Sequence, residues 1–235
     1  MGPHHNDAPL SQIWQDAASA DQGSSVWHQA RLGCITASRI AEVVARTKSG
    51  YGAARQAYMR QLLAERLTGL VAEVYINAAM RWGTDMEPDA VAAYEEATGV
   101  ATELVGFLSH PAIAYAGASP DRLVGDEGLL EVKCPASATH IDTLLSGEVP
   151  ERYVLQMQWQ MACSGRAWCD FVSFDPRMPE DYAFFVTRVR RDEECIAWLE
   201  DETRRFIGEI EQRLDDLEMR SGALAISPFA AAPPA

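Results

Sequence analysis

The segment SPDRLVGDEGLLEVKCP, residues 119–135, decides the fold and points to the chemistry of this chain. Its second half, GLLEVKCP, is rich in apolar residues and follows a turn signal, which is typical of a β-strand. Successive side chains of a strand point to opposite faces, so Glu131 and Lys133 share one face while the apolar residues around them take the other. The segment therefore predicts a buried strand that carries two charged side chains on the same face.

The turn before this strand decides whether a second acid joins them. A plain four-residue hairpin loop at 125–128 would place Asp121 on the face opposite to Glu131. Glycines at both ends of this stretch permit positive φ angles. We therefore predict an odd-numbered loop or a β-bulge between Asp121 and Glu131.

With that register, Asp121, Glu131 and Lys133 converge and form a D-x9-E-x-K pattern. Carboxylate oxygens on a rigid strand suit Mg²⁺, and a neighbouring lysine can polarise a water molecule and offset charge on a phosphoryl group. A chance surface hairpin is the alternative. Lys133 is one of only two lysines and lies on an otherwise apolar strand, where an unpaired charge is costly, and this favours a functional site.

Composition sets the class of protein around this segment. The chain has 235 residues, 48% of them hydrophobic, which is enough for one sizeable core. No apolar run approaches the about 18 residues of a membrane-spanning helix, and the first ten residues lack the order of a signal peptide. The five cysteines form no C-x-x-C pair, so we expect reduced, buried, inert thiols and a cytoplasmic location.

The net charge of −14 argues against a nucleic-acid partner, yet its distribution is uneven. Residues 23–70 contain seven basic and two acidic residues, whereas residues 192–218 contain eleven acidic residues and three arginines. Binding depends on the local field and not on the sum. We predict a basic lining near the acids, supplied by residues 23–70, and an acidic exterior whose last helix is a solvated face.

Hydrophobic periodicity predicts one α/β domain with helices before, between and after a set of strands. We expect helices at 10–19, at 37–47 with Thr36 as its cap, and at 53–68, 78–98, 137–146, 151–164 and 192–218. Strands are expected at 103–110, 113–119, 129–135, 168–174 and 182–189. The expected organisation is an N-terminal segment with a short helix at 1–22, a catalytic domain at 23–220 and a flexible tail at 221–235.

Several blocks of the sequence resemble the lambda exonuclease family, the YqaJ-like viral recombinase nucleases of the PD-(D/E)XK superfamily. The similarity lies in WHQARLGCITASRI (27–40), RWGTDMEPDAVAAYEEATG (81–99), the segment 119–135, YVLQMQWQM (153–161) and FDPRMP (174–179). The blocks occur in the family's order. The resemblance implies a restriction-endonuclease-like fold, with a central mixed β-sheet flanked by α-helices in a single domain.

The resemblance also implies roles for individual residues. It makes Asp121, Glu131, Glu87 and the main-chain carbonyl of Val132 metal ligands, Lys133 the catalytic lysine, and Gln156 a residue that positions water or phosphate. It assigns Arg31, Ser38 and Ser119 to a 5′-phosphate pocket. Pro88 directly after Glu87 is a departure that can shift this ligand. Trp27 is expected in the pocket wall or in the core, and His28 receives no role.

The implied activity is that of an alkaline-type, Mg²⁺-dependent exonuclease, in which Mn²⁺ can substitute. It degrades linear double-stranded DNA from 5′-phosphorylated ends in the 5′-to-3′ direction, releases mononucleotides and leaves a 3′ single strand for recombination. A homotrimeric ring and a single-strand annealing recombinase as partner are further implications. The alternatives are a structure-specific or restriction-type endonuclease with the same acids, and a DNA-binding module without catalytic activity.

Overall fold

The structure, a computed structural model, describes residues 10–72 and 77–226 of the chain. Its helices are α1 (Leu10–Ala18), α2 (Ser25–Arg31), α3 (Ile40–Val43), α4 (Ala53–Thr68), α5 (Ala78–Thr98), α6 (Ser137–Ser146), α7 (Glu151–Ser164) and α8 (Glu193–Ile226). Its strands are β1 (Ile35–Thr36), β2 (Arg46–Thr47), β3 (Gly50–Tyr51), β4 (Thr102–Glu103), β5 (Leu108–Ser109), β6 (Ala116–Ala118), β7 (Arg122–Val124), β8 (Gly128–Lys133), β9 (Trp168–Phe174) and β10 (Phe184–Arg190). The predicted α/β class is confirmed.

A five-stranded mixed sheet in the order β10-β9-β8-β7-β4 forms the centre of the fold. Strands β8 and β9 are parallel, and the other neighbours are antiparallel. On one face, Leu129 and Phe171 pack with residues of α3, α4, α7 and α8, and on the other, Leu130 and Val132 pack with residues of α5. Strand β8 is therefore covered on both faces, and its polar side chains need partners inside the protein.

The hairpin between β7 and β8 confirms the predicted odd loop. Val124 pairs with Gly128 and Arg122 pairs with Leu130, which leaves a loop of residues 125–127. Gly125 has φ 51°, in the left-handed region that such a loop requires. Because the register is odd, the position before Arg122 is opposite Glu131, and Asp121 lies on the predicted face.

The prediction of one helix at 37–47 is wrong. Thr36 belongs to β1, pairs with Gly117, and its side chain caps no helix. A 3₁₀ turn at Ala37–Arg39 and the four-residue helix α3 follow, and the chain then enters the β2–β3 hairpin. The amide of Thr36 donates to the Tyr58 hydroxyl, so α4 holds this residue in an extended conformation.

The single strand expected at 103–110 is divided between two sheets. Strand β4 pairs with β7 in the central sheet, whereas β5 joins β6 and β1 in a three-stranded sheet. Between them, the amides of Gly106 and Phe107 donate to the carbonyls at the end of α1. A Cβ at Gly106 would lie 2.0 Å from the Ala17 carbonyl oxygen, so only glycine permits this close approach.

Two further differences concern the ends of the fold. Helix α2, where the sequence analysis predicts no helix, begins after Ser24, whose hydroxyl accepts from the Trp27 amide. Helix α8 extends to Ile226, beyond residue 218 where we expected its end. Residues 1–9 and 227–235 of the expected terminal segments lie outside the described residues. No helix in the described ranges is long and apolar enough to cross a membrane.

A buried arginine in the N-terminal third of the chain connects helix α4 to helix α8. Arg55 is 0% exposed, and its guanidinium makes two bonds of 2.8 Å to the carboxylate of Glu209. Its Nε atom donates to the Val43 carbonyl, and the rings of Tyr51 and Phe206 lie against the guanidinium. This contact fixes α4 on α8, because a buried cation depends on its partner for compensation.

We predict that Glu209→Ala lowers the free energy of unfolding by about 3 kcal/mol, since it leaves the buried Arg55 without its carboxylate. Urea unfolding measures the effect. Glu218→Ala on the exposed end of α8 is the matched control and is expected to change stability by less than about 0.5 kcal/mol. Equal stabilities of the two variants would contradict the structural role of this ion pair.

Candidate active site

The carboxylate of Glu131 is the centre of the site. Glu131 lies on β8 and is 0% exposed. Its Oε1 atom accepts from Lys133 Nζ and, at 2.7 Å, from Gln156 Nε2, while its Oε2 atom accepts from Gln160 Nε2 at 2.5 Å. Both oxygens are thus held by donors, which is the condition for keeping a carboxylate inside a protein.

Lys133 is held as a cation between two acids and an aromatic ring. Burial lowers the pKa of Lys133, but the carboxylates of Glu131 and Asp121 raise it by more, so that the pKa lies above its ordinary value. The Nζ atom lies 5.1 Å from the ring centroid of Tyr153. Lys133 therefore keeps its proton at neutral pH, and acts as a positive charge and hydrogen-bond donor instead of a base.

Asp121 closes the open edge of β8. Its Oδ2 atom accepts from the Val132 amide at 2.7 Å, past the end of β7. Since the N–H and C=O of an extended residue point to the same edge, the Val132 carbonyl also faces Asp121. Burial and the nearby charge of Glu131 raise the pKa of Asp121 well above its ordinary value. A cation at this point would reverse that repulsion.

Glu87 approaches from the other face of the sheet and is already paired. It lies on α5, where Pro88 is accommodated without breaking the helix. Its Oε1 atom accepts from Arg122 Nη1 at 2.9 Å, and the same Nη1 donates to the Asp121 carbonyl at 2.5 Å. Within the described residues, no group of three or more His, Cys, Asp or Glu side chains is close enough to hold a metal ion. The structure thus brings Asp121, Glu131 and Lys133 together but leaves Glu87 with Arg122.

The donors at this edge fit a hard divalent cation. The two carboxylates and the carbonyl facing them are all oxygen ligands, as Mg²⁺ prefers. Burial and the charge of Glu131 raise the pKa of Asp121 although Lys133 acts to lower it, so a bound cation would stabilise the charged form of Asp121. Asp121, Glu131 and the Val132 carbonyl would hold the ion, with Glu87 available only after it leaves Arg122.

A second group of polar side chains lies two residues from Asp121. The Ser119 hydroxyl accepts from Arg31 Nη1 at 3.1 Å and from Trp27 Nε1 at 2.9 Å. The Arg31 guanidinium lies 4.0 Å from the Trp27 ring centroid, and burial lowers the pKa of Arg31. Trp27 therefore lines this pocket, which the sequence analysis left undecided. The guanidinium remains charged and forms no ion pair among the described residues, so an anion is its natural partner.

Ser38 lies beside this pocket without contacting Arg31. It follows the parallel pair of Thr36 and Gly117 by two residues, as Ser119 does on the other strand, so both serines leave the sheet at the same end. Its hydroxyl is 3.4 Å from Thr36 Oγ1. Because only a short 3₁₀ turn follows Thr36, no long helix begins beside this pocket.

The predicted basic lining from residues 23–70 is only partly present. Arg46, Arg55 and Arg39 form ion pairs with Glu202, Glu209 and Glu42, respectively. The two glutamates of α8 show that this helix is not simply a solvated acidic face. Three of the seven basic residues are therefore compensated by carboxylates of the protein itself.

Gln160 is the site residue that the sequence analysis missed. It lies four residues after Gln156 on α7, so both side chains share one helix face and reach the two oxygens of Glu131. This spacing is visible in the sequence. Gln158, by contrast, donates to the Arg190 carbonyl and accepts from the Asp192 amide, and so fixes the junction of β10 and α8.

Asp175 lies in the turn after β9, and its partner Arg177 connects this turn to the end of β8. Arg177 Nε donates to its Oδ1 atom at 2.6 Å, and the same guanidinium donates to the Pro135 carbonyl and stacks over the Trp82 ring at 4.3 Å. Burial raises the pKa of Asp175, but the bonds from Arg177 and Ser137 lower it by more, to about 2. The turn thus connects the catalytic strand with α5.

The lowered pKa of Asp175 predicts a pH-dependent contribution to stability. A depressed pKa stabilises the folded protein above the ordinary value of 3.8, and this contribution disappears as the pH falls through about 2. Because Arg177 is half-exposed, we expect a contribution of about 1 kcal/mol. Urea unfolding from pH 7 downward measures it: the stability difference between the native chain and Asp175→Asn should shrink below about pH 4.

Asp181→Asn, in the same turn and exposed, serves as the control and should follow the native pH profile. A constant difference between the native chain and Asp175→Asn down to low pH would contradict the role of this carboxylate.

Comparisons with known proteins agree with this geometry. A family model described as a YqaJ-like viral recombinase domain matches residues 26–167, more than half of the chain. The crystal structure of an alkaline exonuclease (LHK-Exo) from Laribacter hongkongensis is similar, with a TM-score of 0.80 at 48% sequence identity over 86% of this chain and 100% of that one. The same enzyme in complex with dAMP gives a TM-score of 0.81 at the same identity and coverage.

A phage-related exonuclease from Haemophilus somnus 129PT has a TM-score of 0.60 at 15% identity, over 78% of this chain and 96% of that one, and supports the fold alone. A comparison with curated protein sequences gives no match. The restriction-endonuclease-like fold that the resemblance implies is confirmed by the close match to the alkaline exonuclease. The chain belongs to the YqaJ-like viral recombinase family and is an exonuclease of that family.

Proposed function

We propose that this protein is a Mg²⁺-dependent exonuclease that degrades linear double-stranded DNA from 5′-phosphorylated ends in the 5′-to-3′ direction. One observation carries the proposal: the acids Asp121 and Glu131 meet Lys133 at the edge of β8, two residues from the anion pocket of Ser119 and Arg31. The first group suits hydrolysis of a phosphodiester, and the second suits a terminal phosphate.

The side chains have distinct parts in this reaction. Asp121, Glu131 and the Val132 carbonyl hold the cation, and Mn²⁺ can replace Mg²⁺ because both prefer oxygen ligands. A bound divalent ion supplies Lewis-acid stabilisation of the phosphate and of hydroxide. Lys133 donates a hydrogen bond to the attacking water and offsets negative charge that develops on the phosphoryl oxygens. Gln156 and Gln160 keep Glu131 in one orientation.

The pocket of Arg31, Ser38 and Ser119 sets the direction of digestion. An arginine presents a planar fork to phosphate oxygens, and the two serine hydroxyls lie at the same end of the β1–β6 pair. A terminal 5′-phosphate bound here places the next phosphodiester beside Asp121, because Ser119 and Asp121 are two residues apart. This spacing supports release of mononucleotides as part of the proposal.

The product would be a 3′ single strand, which suits recombination by a single-strand annealing protein. The same family relationship supports a homotrimeric ring around the DNA and a cytoplasmic setting as parts of this proposal. An endonuclease with the same acids would also cut DNA without ends, and a silent DNA-binding module would not turn over. These alternatives become outcomes of the first experiment.

We predict that the native chain with Mg²⁺ digests a linear 5′-phosphorylated duplex, digests the 5′-hydroxyl form more slowly by about tenfold or more, and leaves closed circular DNA intact. Lys133→Ala should lower the rate on the linear substrate by about 10²-fold, because one preorganised donor is lost. Release of acid-soluble nucleotides measures both. Cleavage of the circle indicates an endonuclease, and a chain without turnover indicates a binding module.

The anion pocket gives a separate prediction. Arg31→Ala should reduce the preference for the 5′-phosphate over the 5′-hydroxyl end by about tenfold, because a charged hydrogen bond to phosphate contributes about 1.5–3 kcal/mol. The ratio of kcat/KM for the two ends measures this preference. Arg60→Ala, an exposed arginine on α4, is the matched control. An unchanged preference in Arg31→Ala would remove Arg31 from phosphate recognition.

A further inference from the structure

Arg122 occupies a position between the two sides of the site. It lies on β7 directly after Asp121, and alternation turns its side chain towards α5 instead of towards Glu131. There its Nη1 atom contacts both Glu87 Oε1 at 2.9 Å and the Asp121 carbonyl at 2.5 Å. The Arg122 side chain is 15% exposed and that of Glu87 is 33% exposed, so the pair is partly shielded from water.

This contact explains why the three acids do not form one cluster. A guanidinium and a divalent cation compete for the same carboxylate, because each is stabilised by its negative charge. With Arg122 in place, the charge of Glu87 is compensated and the carboxylate is turned to β7. Among the described residues, Glu87 is the only ion-pair partner of Arg122. Removal of Glu87 would therefore leave the guanidinium without a paired anion beside Asp121.

We propose that Arg122 is a phosphate-binding residue that Glu87 holds until a divalent cation takes this carboxylate. The guanidinium then passes to a phosphate of the DNA at the same edge, so cation binding and DNA binding strengthen each other. This inference rests on the proposed function of the site. It adds a substrate contact and the order in which charges are exchanged.

The charges of the site support such an exchange. Asp121, Glu131 and Glu87 carry three negative charges when ionised, against the two positive charges of Lys133 and Arg122. A divalent ion makes the sum positive and attracts phosphate, and an arginine fork fits two phosphate oxygens. Without the ion, the acids repel the DNA backbone. The exchange of Arg122 between Glu87 and phosphate thus links the two ligands through one side chain.

Binding of Mn²⁺ to the full chain tests the proposal, with EPR of free Mn²⁺ as the readout and all variants in the Lys133→Ala background, which slows turnover by about 10²-fold. Without DNA, Arg122→Ala should bind Mn²⁺ about fivefold more tightly, because Glu87 is freed and a positive charge is removed. Most of this gain should be lost when Glu87→Gln is also present. Arg60→Ala should leave the affinity unchanged.

A 5′-phosphorylated duplex should tighten Mn²⁺ binding about tenfold in the parent, by less than about twofold in Arg122→Ala, and to an intermediate degree in Arg122→Lys, which keeps the charge. Equal coupling in the parent and in Arg122→Ala, or no gain of affinity without DNA, would overturn the proposal. If the chain with Lys133 intact neither binds Mn²⁺ nor digests linear DNA, the proposed function itself fails. Urea unfolding of each variant verifies that it is folded.

Discussion

The buried carboxylate of Glu131 is the constraint on which the site depends. A charge with no solvent exposure is tolerated only when donors satisfy it, and Lys133, Gln156 and Gln160 provide those donors. Gln156 and Gln160 belong to α7, so this helix must pack against β8 in one orientation about its own axis. Replacement of Gln160 would leave the Glu131 Oε2 atom without its donor in the interior, which costs more than the bond itself contributes. Helix and strand therefore form one unit with the active site.

The packing of β8 against α7 also determines which side of the site is open to the substrate. Strand β8 bonds to β9 along one edge. On the other edge β7 begins only at Arg122, opposite Leu130, so the last residues of β8 have an open edge that Asp121 fills. The odd loop at 125–127 places Asp121 opposite Glu131. The position of Ser119 follows from the direction of the chain. The segment before Asp121 runs back to β6, and there Ser119 contacts Arg31. A single register thus places the acids and the anion pocket side by side.

The sequence predicts those features that depend on local spacing. Alternation and the loop glycines predict the face of Asp121, and an i,i+4 spacing would have predicted Gln160 beside Gln156. It fails where tertiary contacts override local preference. Thr36 has the pattern of a helix cap, but pairing with β6 and a bond to Tyr58 make it a strand residue. The contact of Arg122 with Glu87 joins residues 35 positions apart, and no local pattern contains it.

The distribution of charge along the sequence is likewise misleading without the tertiary contacts. The excess of basic residues at 23–70 and the excess of acidic residues in α8 look like two separate surfaces in the sequence, one for DNA and one for solvent. In the fold they meet: Arg55 and Arg46 pair with Glu209 and Glu202, so much of the basic surplus stabilises packing and is unavailable to phosphate. Arg31 differs because its neighbours are a serine and a ring. An acidic protein can therefore present a binding site for an anion through a single guanidinium that the fold leaves without a carboxylate.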